Sequence, residues 1–285
     1  MQKPLKILLP TDFSDNAWNA IQYAVQMYKG TPCQFDIVNV YDVSPSQLAT
    51  TLSSQRVGYY EDLLKQESEA GLHRVVSDII KFDSDCEHIF TVHSRKGTLI
   101  SVIKEMTCNT KYENICMGTK GATGIKTLFL GSTTHAVVKN NQDCPILVIP
   151  EEAKYTDTNT IAFATDFERI YYKAEIDPIK KIAKRNVAKI CMLHIYDTPS
   201  LSNVQNYNSG ALDNYFKNFD YDFYVLPNFD GVAKGIESFI EEEKITLLAM
   251  IYYKHSFLET LMREAVVKKI TFGTKVPFLI IPSDT

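Results

Sequence analysis

Ile7-Leu8-Leu9-Pro10-Thr11-Asp12-Phe13 reappears further along the chain as Ile161-Ala162-Phe163-Ala164-Thr165-Asp166-Phe167. Two further segments recur in the same order. Asp36-Ile37-Val38-Asn39-Val40-Tyr41-Asp42 is echoed by Ile190-Cys191-Met192-Leu193-His194-Ile195-Tyr196-Asp197, and Pro145–Pro150 returns as Pro277–Pro282. A repeat of roughly 130 to 150 residues is the size of an ordinary domain. The chain of 285 residues therefore divides into residues 1–150 and 160–285. The polar, aperiodic stretch 151–159 reads as the linker.

Within the first repeat, apolar runs alternate with amphipathic ones. Ile7–Pro10, Ile37–Tyr41, Ile89–Val92, Asn114–Met117 and Pro145–Ile149 have the length and composition of buried strands. Ser14 is placed to cap a helix that turns Ala17, Trp18, Ile21, Ala24, Val25 and Tyr28 to one side and closes at Gly30. Longer amphipathic patterns cover 57–81 and 98–106. Strand and helix in alternation specify an open, mostly parallel sheet with helices on both faces. The expected fold is thus two tandem Rossmann-like domains, each with five strands. In such sheets ligands sit beyond the carboxyl ends of the strands, where Asp12, Val40 and the turn at Gly118 all fall.

That turn carries the chemistry. Met117-Gly118-Thr119-Lys120-Gly121 follows a strand, and Gly131-Ser132-Thr133-Thr134 opens a helical segment. Glycine admits close backbone approach to a ligand, and a helix start presents unpaired N–H groups to an anion. Together they form a seat for phosphates. The spacing Gly118-x2-Gly121-x9-Gly131-Ser132, with the strand ending Pro10-Thr11-Asp12 and the closing run Cys144–Pro150, resembles the universal stress proteins and their ATP-binding signature. The resemblance covers residues 1–150 strongly and 151–285 weakly. It implies an adenine nucleotide held by Pro10, Thr11, Asp12, Val40, Met117, Gly118, Gly121, Gly131, Ser132, Thr133 and Thr134. It further implies ATP with magnesium or manganese carried by its phosphates, and domain pairing through the final strands, here 145–150 and 277–282. A homodimer of whole chains would be a second layer of assembly.

Several of these residues have plainer roles. Ser132 can serve as a helix N-cap and Asp12 can cap the first helix, while Val40 suits any strand core. Lys120 and Lys126 read first as solvated loop lysines, with phosphate neutralisation as the alternative. Counting back from the final proline, Gly118 corresponds to Met250, Gly121 to Tyr253, Gly131 to Arg263 and Ser132 to Glu264. Bulky or acidic residues there would exclude phosphate, so one nucleotide site per chain is expected. The aromatic run Tyr215–Tyr224 reads as core or subunit contact.

Composition narrows the classes. Apolar residues make up 45% and charged residues 22%, with a net charge of −4, which disfavours a general nucleic-acid or membrane-surface binder. No apolar run reaches membrane-spanning length. The six cysteines show no CxxC pair, and three of them lie in or beside strand-like runs, so reduced thiols in a cytoplasmic protein are expected. Cys86, His88 and His93 match no usual zinc spacing. Neither a P-loop nor the Ser-Gly-Gly-x-Asp-Ser or His-x-Gly-His signatures of adenylate-transferring enzymes is present. The reading is an ATP-binding, non-enzymatic regulator of stress physiology, against a nucleotide-free scaffold or an α/β enzyme with weak ATPase activity.

Overall fold

The computed structural model describes residues 3–42, 54–84, 87–119, 130–196, 200–253, 258 and 275–283. The first half contains β1 (Leu5–Pro10), α1 (Asp15–Met27), β2 (Cys33–Tyr41), α2 (Ser54–Phe82), β3 (Ile89–Lys96), α3 (Leu99–Asn109), β4 (Asn114–Gly118), α4 (Ser132–Asn140) and β5 (Ile146–Ile149). The second half comprises β6 (Thr160–Ala164), α5 (Lys173–Asn186), β7 (Lys189–Tyr196), α6 (Asn203–Phe216), β8 (Tyr221–Pro227), α7 (Val232–Glu242), β9 (Leu247–Tyr252) and β10 (Phe278–Pro282).

The ten strands form one sheet in the order β3-β2-β1-β4-β5-β10-β9-β6-β7-β8. Neighbours are parallel except at the centre, where β5 and β10 run antiparallel with Leu147 opposite Leu279. Those two leucines are equivalent in the repeat, so the halves are related by an approximate two-fold axis through this pair. The second half therefore points its strand ends the opposite way.

Apolar residues of α1, α2, α5 and α6 pack on one face of the sheet, and those of α3, α4 and α7 on the other. The run Ile7–Leu9 is fully buried on both sides, which explains why it lacks polar alternation. Ser14 caps α1 by accepting the Ala17 N–H. Gly30, at φ +77°, occupies the left-handed turn beyond the helix. The strands outrun the apolar sequence signal: β2 begins at Cys33 and β3 continues to Lys96, because ladder hydrogen bonds tolerate polar side chains at exposed ends. The segment after β7, unassigned from sequence, supplies α6 and edge strand β8. Of its aromatic run, Phe216 is in the core, Tyr224 packs edge-on against Phe239 at 4.8 Å, and Phe223 stays exposed.

The linker is less independent than its polarity suggests. Ala153 and Thr158 are buried, and the Tyr155 ring meets Tyr23 edge-on at 5.4 Å. Asn19 Nδ2 donates to the carbonyls of both Pro150 and Ala153, each at 3.1 Å. No helix among the described residues is long and apolar enough to cross a membrane.

Candidate functional site

Three strand ends build the site. At the end of β1, the Thr11 side-chain oxygen accepts the Phe13 N–H at 3.1 Å, and Asp12 Oδ1 accepts from both the backbone N–H and the hydroxyl of Ser14. These bonds hold Phe13 at φ +64°, a conformation unfavourable for a side chain with a Cβ. Asn39, at the end of β2, donates to the Thr11 carbonyl at 2.8 Å and pins the turn from beneath. Asp12 is thus not the cap of α1. Ser14 is, and Asp12 organises it.

Gly118 ends β4, and α4 is tied to it: the Thr134 hydroxyl donates to the Gly118 carbonyl at 2.8 Å. Gly131 N–H bonds to Thr119 O, so the two ends of the glycine loop meet. Gly131 takes the N-cap place without a side-chain bond, and Ser132 is the first helical residue. Ser132 is therefore not the cap expected from sequence: the Gly131 backbone turns the chain, and the Ser132 side chain is left exposed. Among the described residues no side chain caps the first turn of α4, an arrangement open to an anionic ligand. Gly118 has a packing role as well. A Cβ there would lie 2.7 Å from the Asn16 side chain, too close for any alanine without movement. His135, in the same turn, has its pKa lowered by burial and by Lys139.

Between these ends lies a cavity of about 230 Å³ lined by Pro10, Thr11, Asp12, Ala17, Asn39, Val40, Leu99, Met117, Gly118, Thr133 and Thr134. Eight residues named from sequence thus converge on one space. Gly131 and Ser132 stand at the helix start beside it, and Gly121, Lys120 and Lys126 lie outside the described residues. Sequence reading missed Ala17, Asn39 and Leu99. Asn39 had a signal, since it precedes Val40 at the same strand end. Asp12 is the one ionisable side chain in the described lining. Among the described residues no group of three His, Cys, Asp or Glu could hold a metal ion; Cys86 lies outside them.

The second half repeats the turn and fills the space. Thr165 Oγ1 accepts the Phe167 N–H at 3.3 Å, Asp166 Oδ1 accepts the Glu168 N–H at 3.1 Å, and Phe167 sits at φ +58°. His194 replaces Asn39 against the Thr165 carbonyl, at 3.0 Å. Here, however, the Tyr253 hydroxyl donates to the Asp166 carboxylate at 3.0 Å, and Arg169 lies over its ring at 4.7 Å. Burial first, then the Asp166 charge, pushes the Tyr253 phenol up. Among the described residues the cavity at this turn, between Thr165, Asp166, Met250 and Tyr253, is about 10 Å³. Strand register also corrects the gapless count. Gly118 pairs with Ile149, whereas the equivalent Ile281 pairs with Ile251, so Ile251, not Met250, stands in the place of Gly118. Arg263 and Glu264 lie outside the described residues.

A doubly wound sheet with a glycine at the end of β4 and a helix start just beyond it places the chain among the open α/β proteins, which take ligands at their strand ends. The family model for "Universal stress protein family" matches residues 5–150. This chain belongs to the universal stress protein family. A universal stress protein of Methanocaldococcus jannaschii is 30% identical over 149 residues, 52% of this chain and 84% of that protein. The fold is shared along nearly the full length with a universal stress protein from Archaeoglobus fulgidus, at TM-score 0.69, 17% identity and coverage of 97% and 98%. A putative universal stress protein from Pseudomonas aeruginosa UCBPP-PA14 aligns at TM-score 0.57, 10% identity and coverage of 98% and 93%.

Proposed function

We propose that this chain is an ATP-binding regulator of stress physiology, with one adenine-nucleotide site, in its first half. The observation that carries the proposal is the contrast between a cavity of about 230 Å³ in the first half and one of about 10 Å³ at the equivalent place in the second. Val40, Leu99 and Met117 offer apolar surface for a base, Asp12 an acceptor for ribose hydroxyls, and the start of α4 a seat for phosphates. Magnesium or manganese would be held by the phosphates, since Asp12 alone offers a carboxylate in the described lining. A lining with a single ionisable group favours binding over catalysis. Its free thiols (Cys33, Cys108, Cys116, Cys144 and Cys191) agree with a reducing, cytoplasmic setting. Assembly into a homodimer of whole chains remains part of this reading.

Denaturing extraction of purified protein, followed by mass spectrometry, is expected to release about one adenine nucleotide per chain. Ser132→Glu should then weaken ATP binding by about a hundredfold or more through charge repulsion at the helix start. It should leave the melting temperature nearly unchanged, because an acidic residue suits the first turn of a helix. Two nucleotides per chain, or undiminished affinity in the variant by calorimetry, would refute the assignment.

A further inference from the structure

The sheet has two edge strands, β3 and β8, and they meet solvent differently. β3 ends in exposed Arg95 and Lys96, cations of the kind that keep edge strands from pairing. β8, with the sequence Tyr-Asp-Phe-Tyr-Val-Leu-Pro, carries no lysine or arginine. Its Phe223 and Val225 are instead 43% and 42% exposed, a pair of large apolar side chains on an open strand.

The backbone of β8 is unpaired on that side. Ile190 N–H donates to Asp220 O and Asn228 N–H donates to Tyr196 O, which sets the alternation along the strand. Asp222, Tyr224 and Leu226 turn their backbone groups inward to β7, and Tyr221, Phe223 and Val225 turn theirs outward. Among the described residues nothing bonds to the outward set. It is also bounded at both ends: Pro227 has no N–H, and the Phe219 N–H is taken by Phe216 O. What remains free is symmetric about Phe223.

We infer that β8 is the contact between two copies of this chain, paired antiparallel about a two-fold axis at Phe223; the inference rests on the homodimer of the proposed reading and gives it a surface. In that register Phe223 meets its own copy and Tyr221 meets the partner's Val225, so every outward N–H and C=O finds a bond. Their side chains lie on the face where Phe223 packs against the Phe167 ring at 5.5 Å, and an apolar row continues across the axis. On the opposite face Asp222 comes beside the partner's Tyr224, its charge already paired with Lys189 of its own copy. Neighbouring registers fit worse. An axis at Asp222 sets two carboxylates against each other, and one at Tyr224 places Tyr221 opposite Pro227, which has no N–H to give. β8 lies at the far end of the sheet from the first half, so this contact leaves the nucleotide cavity open.

Sedimentation velocity on the full chain is expected to show a dimer with a Kd below about 100 μM. Val225→Pro removes an outward N–H and leaves the ladder to β7 intact; symmetry doubles the loss, so dimerisation should weaken about thirtyfold. If that variant melts early, Phe223→Lys replaces it, sets two cations against each other and should weaken dimerisation about tenfold or more. Phe223→Cys combined with Cys108→Ser should give a disulfide-linked dimer on oxidation, because directly opposed residues lie about 5.5 Å apart at Cα. Val225→Cys in the same background should not, its copies being well offset along the strands. A dimer that survives Val225→Pro in the folded protein, or that crosslinks equally through Val225→Cys, overturns the inference and leaves the homodimer to another surface. A chain still monomeric at about 1 mM overturns both and leaves the edge to a strand of a different protein. Neither result touches the nucleotide assignment, which the nucleotide-to-chain ratio tests separately.

Discussion

The two halves start from the same Thr-Asp-Phe turn and end in opposite states. Around Thr11-Asp12-Phe13 the strand ends stay apart and leave room for a ligand. Around Thr165-Asp166-Phe167 the same backbone supports a plug of Tyr253, bonded to Asp166, with Arg169 over its ring. The turn is common to both halves, so it belongs to the fold, and the site is decided by the residues at and just beyond the ends of β4 and β9. A repeated motif is thus weaker support for a repeated function than the space it encloses.

Gly118 is where this comparison is most easily broken. Gly118→Ala should cost about 1–3 kcal/mol of stability, because its Cβ would press on Asn16, and should weaken nucleotide binding with it. Asn16→Ala added to that change should recover most of the stability in a denaturant titration. If the double variant is no better than the single, the glycine is required by the ligand rather than by Asn16. Ile251, in the equivalent place, shows that the scaffold itself admits a branched side chain there.

The halves also differ in acid sensitivity. Asp36 is buried in β2. Burial would raise its carboxyl, but the His93 ring nitrogen at 3.4 Å and hydrogen bonds from Tyr112 and Gln34 outweigh burial and hold it at about 2. Its counterpart by register is Cys191, a thiol that burial pushes up to about 11. The folded carboxyl lies below its ordinary value of 3.8, so its stabilisation is present above that pH and is lost as pH falls toward 2. Asp36→Asn should cost about 2 kcal/mol at neutral pH and flatten the acid limb of the stability curve. Hydrogen exchange near pH 3 should rise in β1–β3 before β6–β8. The reverse order would show that acid lability arises elsewhere.

Tyr253→Phe tests the plug. Removing a hydroxyl that donates to a carboxylate should cost about 1.5 kcal/mol and leave the nucleotide ratio at one per chain. A second bound nucleotide would mean that this bond alone closes the second site. The smallest expected effect is at the helix caps. Ser14→Ala should cost about 1 kcal/mol in a thermal melt. Tyr172→Ala should not do so by loss of a cap, since the side-chain bond at the start of α5 is made by Glu175, which accepts the Tyr172 backbone N–H at 2.8 Å.

Much of this was legible in the chain. Apolar runs bounded by glycine and proline located the strands around Pro10, Met117 and Ile149, because a strand buried on both faces needs unbroken apolar sequence. Strand ends carrying Asp12, Val40 and Gly118 located the site, because parallel α/β topology brings such ends together. Other features were hidden. Polar strand ends such as Ser94–Lys96 lack the apolar signal, and a gapless count cannot sense the one-residue shift that puts Ile251 opposite Ile281. Nothing in Glu151–Asn159 announces that Ala153 and Thr158 are buried, since the linker's contacts are made with distant residues, Ala153 with Asn19 and Asn159 with Thr246.

By itself, then, the sequence determined the two α/β units, their doubly wound type and the segments that converge on a ligand cavity. Those properties arise from local periodicity and from the few ways a strand–helix alternation can pack. The replaced glycines also pointed to the first half as the open one; only the tertiary structure decided how the second turn is closed and where the linker is held. Both depend on side chains far apart in sequence, Tyr253 with Asp166 inside the second half and Asn19 of α1 with Ala153 of the linker, whose contacts exist only once the chain has folded.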